Sequence, residues 1–129
     1  MMIGGGGRVA VTLQEYEEFV LSLTSPSSTE SYQAKIVTAG LGLSGEAGEF
    51  ADHVKKDVFH KKPMDRDAAV QELGDVFWYL AFASRAIGSN LQEVMEENVA
   101  KLSARYKDGV FKVEHAHAQG EPDHSERDE

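Results

Sequence analysis

Cysteine is absent from this chain of 129 residues, which removes disulfides, thiolate metal sites and a cysteine nucleophile from consideration. A structural zinc becomes an uneconomical assumption. Positive charge is also short: 13 Lys and Arg stand against 22 Asp and Glu, for a formal net charge of -9. A surface that tracks nucleic-acid phosphates needs a basic patch, so no nucleic-acid partner is expected. No apolar run approaches the roughly 20 residues of a membrane helix. The start, Met1 to Arg8, is glycine-rich without the apolar stretch of a secretion signal. The expected setting is therefore cytoplasmic, with no membrane partner. Strand-like alternation is missing before Val110, and no internal repeat of useful period is found. An acidic chain can still accept a polyphosphate, through cations held by its own carboxylates.

What is present suffices for one compact domain, with 41% hydrophobic and 27% charged residues. Residues 1–11, with four consecutive glycines at Gly4 to Gly7, are expected to form a flexible leader. From Thr12 the pattern changes. Thr12 and Glu15 have the spacing of a capping box, and Leu13, Tyr16, Phe19, Val20 and Leu23 follow at helical intervals. The stretch around Pro26 is expected to be a loop, with Ser27 and Glu30 capping the next helix. That long helix carries Ile36, Ala39, Leu43, Ala47, Phe50, Val54 and Val58 as one buried stripe, and Pro63 ends it. Asp65 caps another helix with Ala69, Leu73, Val76, Phe77, Leu80, Ala83 and Ile87, which stops at Gly88. Asn90 and Glu93 open a last helix that closes near Asp108 and Gly109. The reading is all-α, an antiparallel helical bundle of about four helices over residues 12–111. Residues 112–129, rich in acid and poor in apolar side chains, are expected to be a disordered tail.

Two acid pairs stand out. Glu46 and Glu49 are three residues apart on one long helix, and Glu72 and Asp75 repeat the spacing on the next. Residues three apart share a helix face, so an antiparallel hairpin can gather four carboxylates into one cluster. Converging carboxylates repel, and either hold protons or recruit cations; hard oxygen ligands select magnesium or manganese over zinc or copper. Exposed acids on amphipathic helices are the ordinary alternative. The flanking Gly45, Ala47, Gly48, Leu73, Gly74, Val76 and Phe77 argue for a buried setting. Glycine inside a helix costs about 1 kcal/mol relative to alanine, so Gly40, Gly42, Gly45, Gly48 and Gly74 call for close helix approach, with or without a ligand. Lys56 lies seven residues beyond Glu49, about two turns along the same face, where its ammonium can meet phosphate oxygens; a solvated lysine beside Lys55 is the competing reading.

Other motifs compete weakly. Gly40-Leu41-Gly42-Leu43-Ser44-Gly45 matches the dinucleotide-binding Gly-x-Gly-x-x-Gly spacing, but the helical stripe runs through it and no parallel strands follow. His53, four residues after Glu49, admits a di-iron type of site, yet the partner helix offers no matching Glu-x-x-His. His53 reads as a flank of the site or a nucleotide contact. Among Phe77, Trp78, Tyr79 and Phe82, Phe77 is assigned to the core and Trp78 is left open between core and base stacking.

Gly45-Glu46-Ala47-Gly48-Glu49 followed by Gln71-Glu72-Leu73-Gly74-Asp75 resembles the Glu-x-x-Glu then Glu-x-x-Asp signature of the all-α nucleoside triphosphate pyrophosphatases, MazG-like enzymes among them. Asn98 to Tyr106 resembles the Asn-x-x-Lys-Leu-x-x-Arg-Tyr segment of the short MazG-like members. The likeness runs from about Thr12 to Phe111, and departs from the pattern at Tyr106-Lys107-Asp108-Gly109-Val110-Phe111, where the family shows Tyr-Pro-x-Gly-Phe. By this resemblance Glu46, Glu49, Glu72 and Asp75 hold Mg2+, with Mn2+ as a substitute, and are the catalytic acids. Asn98, Lys101, Arg105 and Tyr106 contact the nucleotide. The implied reaction is hydrolysis of a nucleoside or deoxynucleoside triphosphate to the monophosphate and pyrophosphate by direct attack of water, in a homodimer or homotetramer. Long apolar helix faces on so small a bundle independently point to an oligomer. The rival hypothesis is a non-catalytic helical oligomerisation or regulatory module, which has no need of the acid quartet.

Overall fold

A computed structural model describes residues 7–107. Five helices follow in order: α1 (Leu13–Ser22), α2 (Pro26–Thr29), α3 (Tyr32–Phe59), α4 (Arg66–Ala86) and α5 (Leu91–Arg105). No strand occurs among the described residues. The leader expected over residues 1–11 is described only from residue 7, and the expected tail at 112–129 lies outside the described residues.

Local chemistry fixes most of the boundaries. Thr12 and Glu15 form the capping box: the Glu15 N–H donates to the Thr12 hydroxyl at 3.1 Å, and the Thr12 N–H donates to the Glu15 carboxylate at 3.2 Å. Asp65 accepts from the N–H groups of Asp67 and Ala68, at 3.0 and 3.2 Å, and starts α4. Gly88, at φ +80°, follows the last turn of α4 in a conformation costly to any other residue. The Asn90 side chain accepts from the Glu93 N–H at 2.8 Å, as its spacing suggests. Three expectations need correction. The Pro26 stretch is a one-turn helix capped by Ser25, and α3 is capped by Ser31 rather than Ser27. Proline at a first helical position lacks only an N–H that would have no partner there. The long helix also stops at Phe59, before Pro63, in a closure where the N–H groups of His60 and Lys62 both donate to the Lys56 carbonyl at 3.1 Å.

The described residues divide into two compact units, one up to residue 94 and one from residue 95. In the first, α3 packs along α4, with α1 against α4 and α2 against α3. Its core is Val20, Ala39, Ala81, Phe82 and Leu91, flanked by Leu13, Tyr16, Trp78, Leu80 and Ala83. The expected α3 stripe is only partly buried: Ala39 is at 3% exposure, while Val54 and Val58 reach 38% and 63%. Gly42 alone among the described helix glycines meets a close neighbour, since a Cβ there would fall 2.1 Å from the Tyr79 ring. Beside Gly40, Gly45, Gly48 and Gly74 there is open space, so the expected close approach holds at one position and not at the other four. In the second unit, the described residues continue α5 from Met95 to Arg105, and Tyr106 is buried with the Arg105 guanidinium 5.8 Å from its ring centre.

Candidate metal centre

The pairing of α3 with α4 is antiparallel, and the acid pairs define its register. Gly42 sits against Tyr79, Glu46 against Glu72 and Asp75, and His53 against Glu72. One carboxylate oxygen from each of Glu46, Glu72 and Asp75 lies within 4.8 Å of the other two. Magnesium binds oxygens at about 2.0–2.1 Å and calcium at about 2.3–2.6 Å, so ligands on opposite sides of one ion stand about 4–5 Å apart. The trio therefore spans a distance that a hard divalent cation closes, and its all-oxygen chemistry favours such ions over softer metals.

Glu46 feels the crowding. Loss of solvent holds its carboxyl above the usual range, and the negative charges of Asp75, Glu72 and Glu49 push it further the same way. Glu49 is not in the trio; it lies one turn further along α3 and is exposed. The expected quartet is thus three converged acids with a fourth beside them. Their surroundings are more open than the sequence suggests: Gly45, Ala47, Gly48, Leu73 and Gly74 are all exposed, as is Asp75 itself. Open helix flanks leave room for a bulky anion at the cluster.

Two neighbours tie the trio to the rest of the unit. His53 Nε2 lies 3.5 Å from Glu72 Oε1, which makes His53 a flank of the site rather than a separate ligand set. Tyr16 of α1 stacks on Phe77 with ring centres 5.0 Å apart. Burial raises the Tyr16 hydroxyl above its ordinary value, and the nearby charge of Asp75 adds to the effect. Phe77, expected in the core, is 36% exposed, because it stacks on Tyr16 instead of entering the central cluster. Trp78 packs against that cluster, stacked on Phe82 at 5.8 Å and edge-on to Tyr79 at 4.9 Å. Tyr16 escaped the sequence reading: within α1 it is one more apolar position of the stripe, and only the fold brings it to Asp75.

Lys56 projects from the same helix as Glu46 and Glu49, but its ammonium is 2.6 Å from Asp52, which also holds Lys55 at 3.3 Å. These partners, Lys56 first, keep the Asp52 carboxyl below its usual range. The lysine itself is held above its ordinary value by Asp52, with a smaller contribution from Glu49. Asn98, Lys101 and Arg105 fall at helical spacing on one side of α5, in the second unit, and Tyr106 directly follows that helix.

Residues 35–110 match the MazG nucleotide pyrophosphohydrolase domain. The chain belongs to the MazG nucleotide pyrophosphohydrolase family. The match contains both acid pairs, the His53 flank and the whole of α5. A relative named Gene 37 protein, from Mycobacterium phage L5, is 40% identical over 75 residues, which is 55% of this chain. The chain spans 66% of that relative's length. No solved structure matches. MazG membership accounts for the helical architecture, and a nucleotide pyrophosphohydrolase activity is what the family implies. No helix among the described residues is long and apolar enough to cross a membrane.

Proposed function

We propose that this MazG chain is a magnesium-dependent pyrophosphohydrolase that cleaves nucleoside or deoxynucleoside triphosphates to the monophosphate and pyrophosphate. One observation carries the reading: three carboxylates from two antiparallel helices converge within 4.8 Å. An uncompensated gathering of like charges opposes folding unless cations offset it. In this reading Glu46, Glu72 and Asp75 hold Mg2+, or Mn2+ in its place, and Glu49 completes the set. A bound divalent ion supplies charge neutralisation on the phosphates and acidifies a water. The remaining work falls to the chain. The acids would hold the cation that draws the phosphates to the α3/α4 face, and an unprotonated carboxylate beside the water would take its proton. The water oxygen bonds to phosphorus as the bridging oxygen departs with its electron pair. His53 steadies Glu72, and Tyr16 stands beside Asp75 as a positioning group. Lys56, Asn98, Lys101, Arg105 and Tyr106 are assigned to nucleotide contact, the last four on the strength of the family resemblance.

Self-association belongs to the same proposal, as a homodimer or homotetramer. Leu41, Val58, Phe59 and Leu73 are 71%, 63%, 78% and 48% exposed, an apolar area on α3 and α4 that a lone domain rarely shows. The proposed setting is the cytoplasm, with nucleotides rather than nucleic acid as substrates.

The deciding experiment is pyrophosphate release from a panel of ribo- and deoxyribonucleoside triphosphates, with and without Mg2+, compared with Glu49→Gln and Glu72→Gln variants. Release by the wild type that needs Mg2+ and falls at least about 100-fold in both variants supports the reading. A folded wild type that releases none from any nucleotide favours a non-catalytic helical module.

A further inference from the structure

Next to the acid trio, at the end of α3, lies a cleft of about 260 Å³ lined by His53, Lys56, Lys62, Pro63, Met64 and Asp65. Its position is set by two features. His53 lines the cleft while its ring nitrogen lies 3.5 Å from Glu72, so the cleft abuts the trio. The closure of α3 then turns the chain back: Lys61 adopts φ +50° and the Lys62 N–H donates to the Lys56 carbonyl. A left-handed conformation is disfavoured for a non-glycine residue, and here it carries Lys62 to the cleft wall.

The cleft lining carries two ammonium groups against one carboxylate, whereas the trio carries carboxylates alone. Lys56 and Lys62 contribute ammonium groups, and the single acid in the lining, Asp65, is already engaged in capping α4 through two backbone N–H groups. Asp52 draws Lys56 to one side, whereas no ion pair of Lys62 occurs among the described residues. A compact ammonium on a flexible stem binds phosphate oxygens as a point charge, and a guanidinium can take its place.

We propose that this cleft is the seat of the leaving pyrophosphate, with Lys62 as its principal cationic contact. The inference rests on the hydrolase reading and adds a direction to it. The scissile anhydride lies over Glu46, Glu72 and Asp75, the terminal phosphates run toward the His60 to Asp65 loop, and the nucleoside lies toward the opposite end of the hairpin. From Glu46 to His53 the helix advances about 10 Å, which separates the two ends of the site along α3.

Calorimetric titration with inorganic pyrophosphate at saturating Mg2+, beside titration with ribo- and deoxyribonucleoside monophosphates, tests this on the full chain. Lys62 is exposed, so Lys62→Gln leaves the fold intact. Expected is a loss of pyrophosphate affinity of at least 10-fold in Lys62→Gln, recovery in Lys62→Arg, and monophosphate affinity within 2-fold of wild type. An unchanged pyrophosphate affinity in Lys62→Gln overturns the proposal, as does equal weakening toward both products or failure of the wild type to bind pyrophosphate. Hydrolysis is scored separately. An active wild type with Lys62-independent pyrophosphate binding removes the cleft assignment alone, whereas an inactive wild type with Lys62-dependent binding removes the hydrolase reading and leaves the anion site.

Discussion

Glu17 occupies a place that its sequence neighbours do not announce. It is 3% exposed, takes two N–H groups of Arg85 at 3.1 and 2.9 Å, and accepts the backbone N–H of Leu91. Glu17→Ala leaves a guanidinium and a buried amide without that partner. The Arg85 side chain is 36% exposed and recovers some hydration, so the expected loss is about 2–3 kcal/mol, read as a lower denaturation midpoint at unchanged m-value. The two acid pairs could be picked out because their spacing repeats on two helices, although only Glu46, Glu72 and Asp75 converge. Glu17 could not, since one acid on an amphipathic helix looks the same whether it faces water or an arginine 68 residues away. The pH response of α1 belongs to this scale too. Hydrogen bonds from Thr12, side chain before backbone, hold the Glu15 carboxyl below its usual range. A carboxyl lowered on folding contributes stability above its unfolded pKa, and that contribution disappears as pH falls through the folded value. Acid titration of stability should therefore show a component below about pH 4.5 that Glu15→Gln removes, and a Glu15→Gln curve identical to wild type would contradict it.

Among elements, the α3/α4 hairpin sets the site, and its glycines divide by environment. Gly42→Ala puts a methyl into the Tyr79 ring and is expected to destabilise by about 1–2 kcal/mol even after the gain in helix propensity. Gly45→Ala and Gly48→Ala enter open space and are expected to raise stability by about 1 kcal/mol each. Thermal melts of the three variants check both signs. If Gly45→Ala or Gly48→Ala also loses activity, the open flank is substrate space. The helices α1, α3, α4 and α5 and the caps at Thr12, Asp65 and Asn90 could be read from periodicity and cap chemistry, because both are local, whereas the one-turn α2 and the Ser31 cap of α3 could not. Burial along α3 could not. A stripe recurring every three or four residues marks the apolar side of a helix without saying what covers it, and Val58 and Phe59 lie bare in the single chain.

For the molecule as a whole, the proposed magnesium site and the proposed interface between copies predict a stability that depends on what is bound. Magnesium at ten times its dissociation constant adds about 1.4 kcal/mol, about 6 °C for a domain of this size. The shift is expected in wild type and absent in Glu72→Gln, and equal shifts in both would place the ion elsewhere. Burial of Leu41, Val58 and Phe59 between copies predicts a melting temperature that rises with protein concentration and a sedimentation coefficient above that of a monomer.

Glu17 and Leu91 are separated by 74 positions, whereas α3 and α4 are joined by a loop of only a few residues. Closing the short loop costs little chain entropy, so the hairpin is expected to form before the carboxylate finds its distant amide. In mild denaturant the Leu91 amide should then trade its proton for deuterium whenever α1 lifts off, while amides in the middle of α3 hold theirs until the hairpin itself melts.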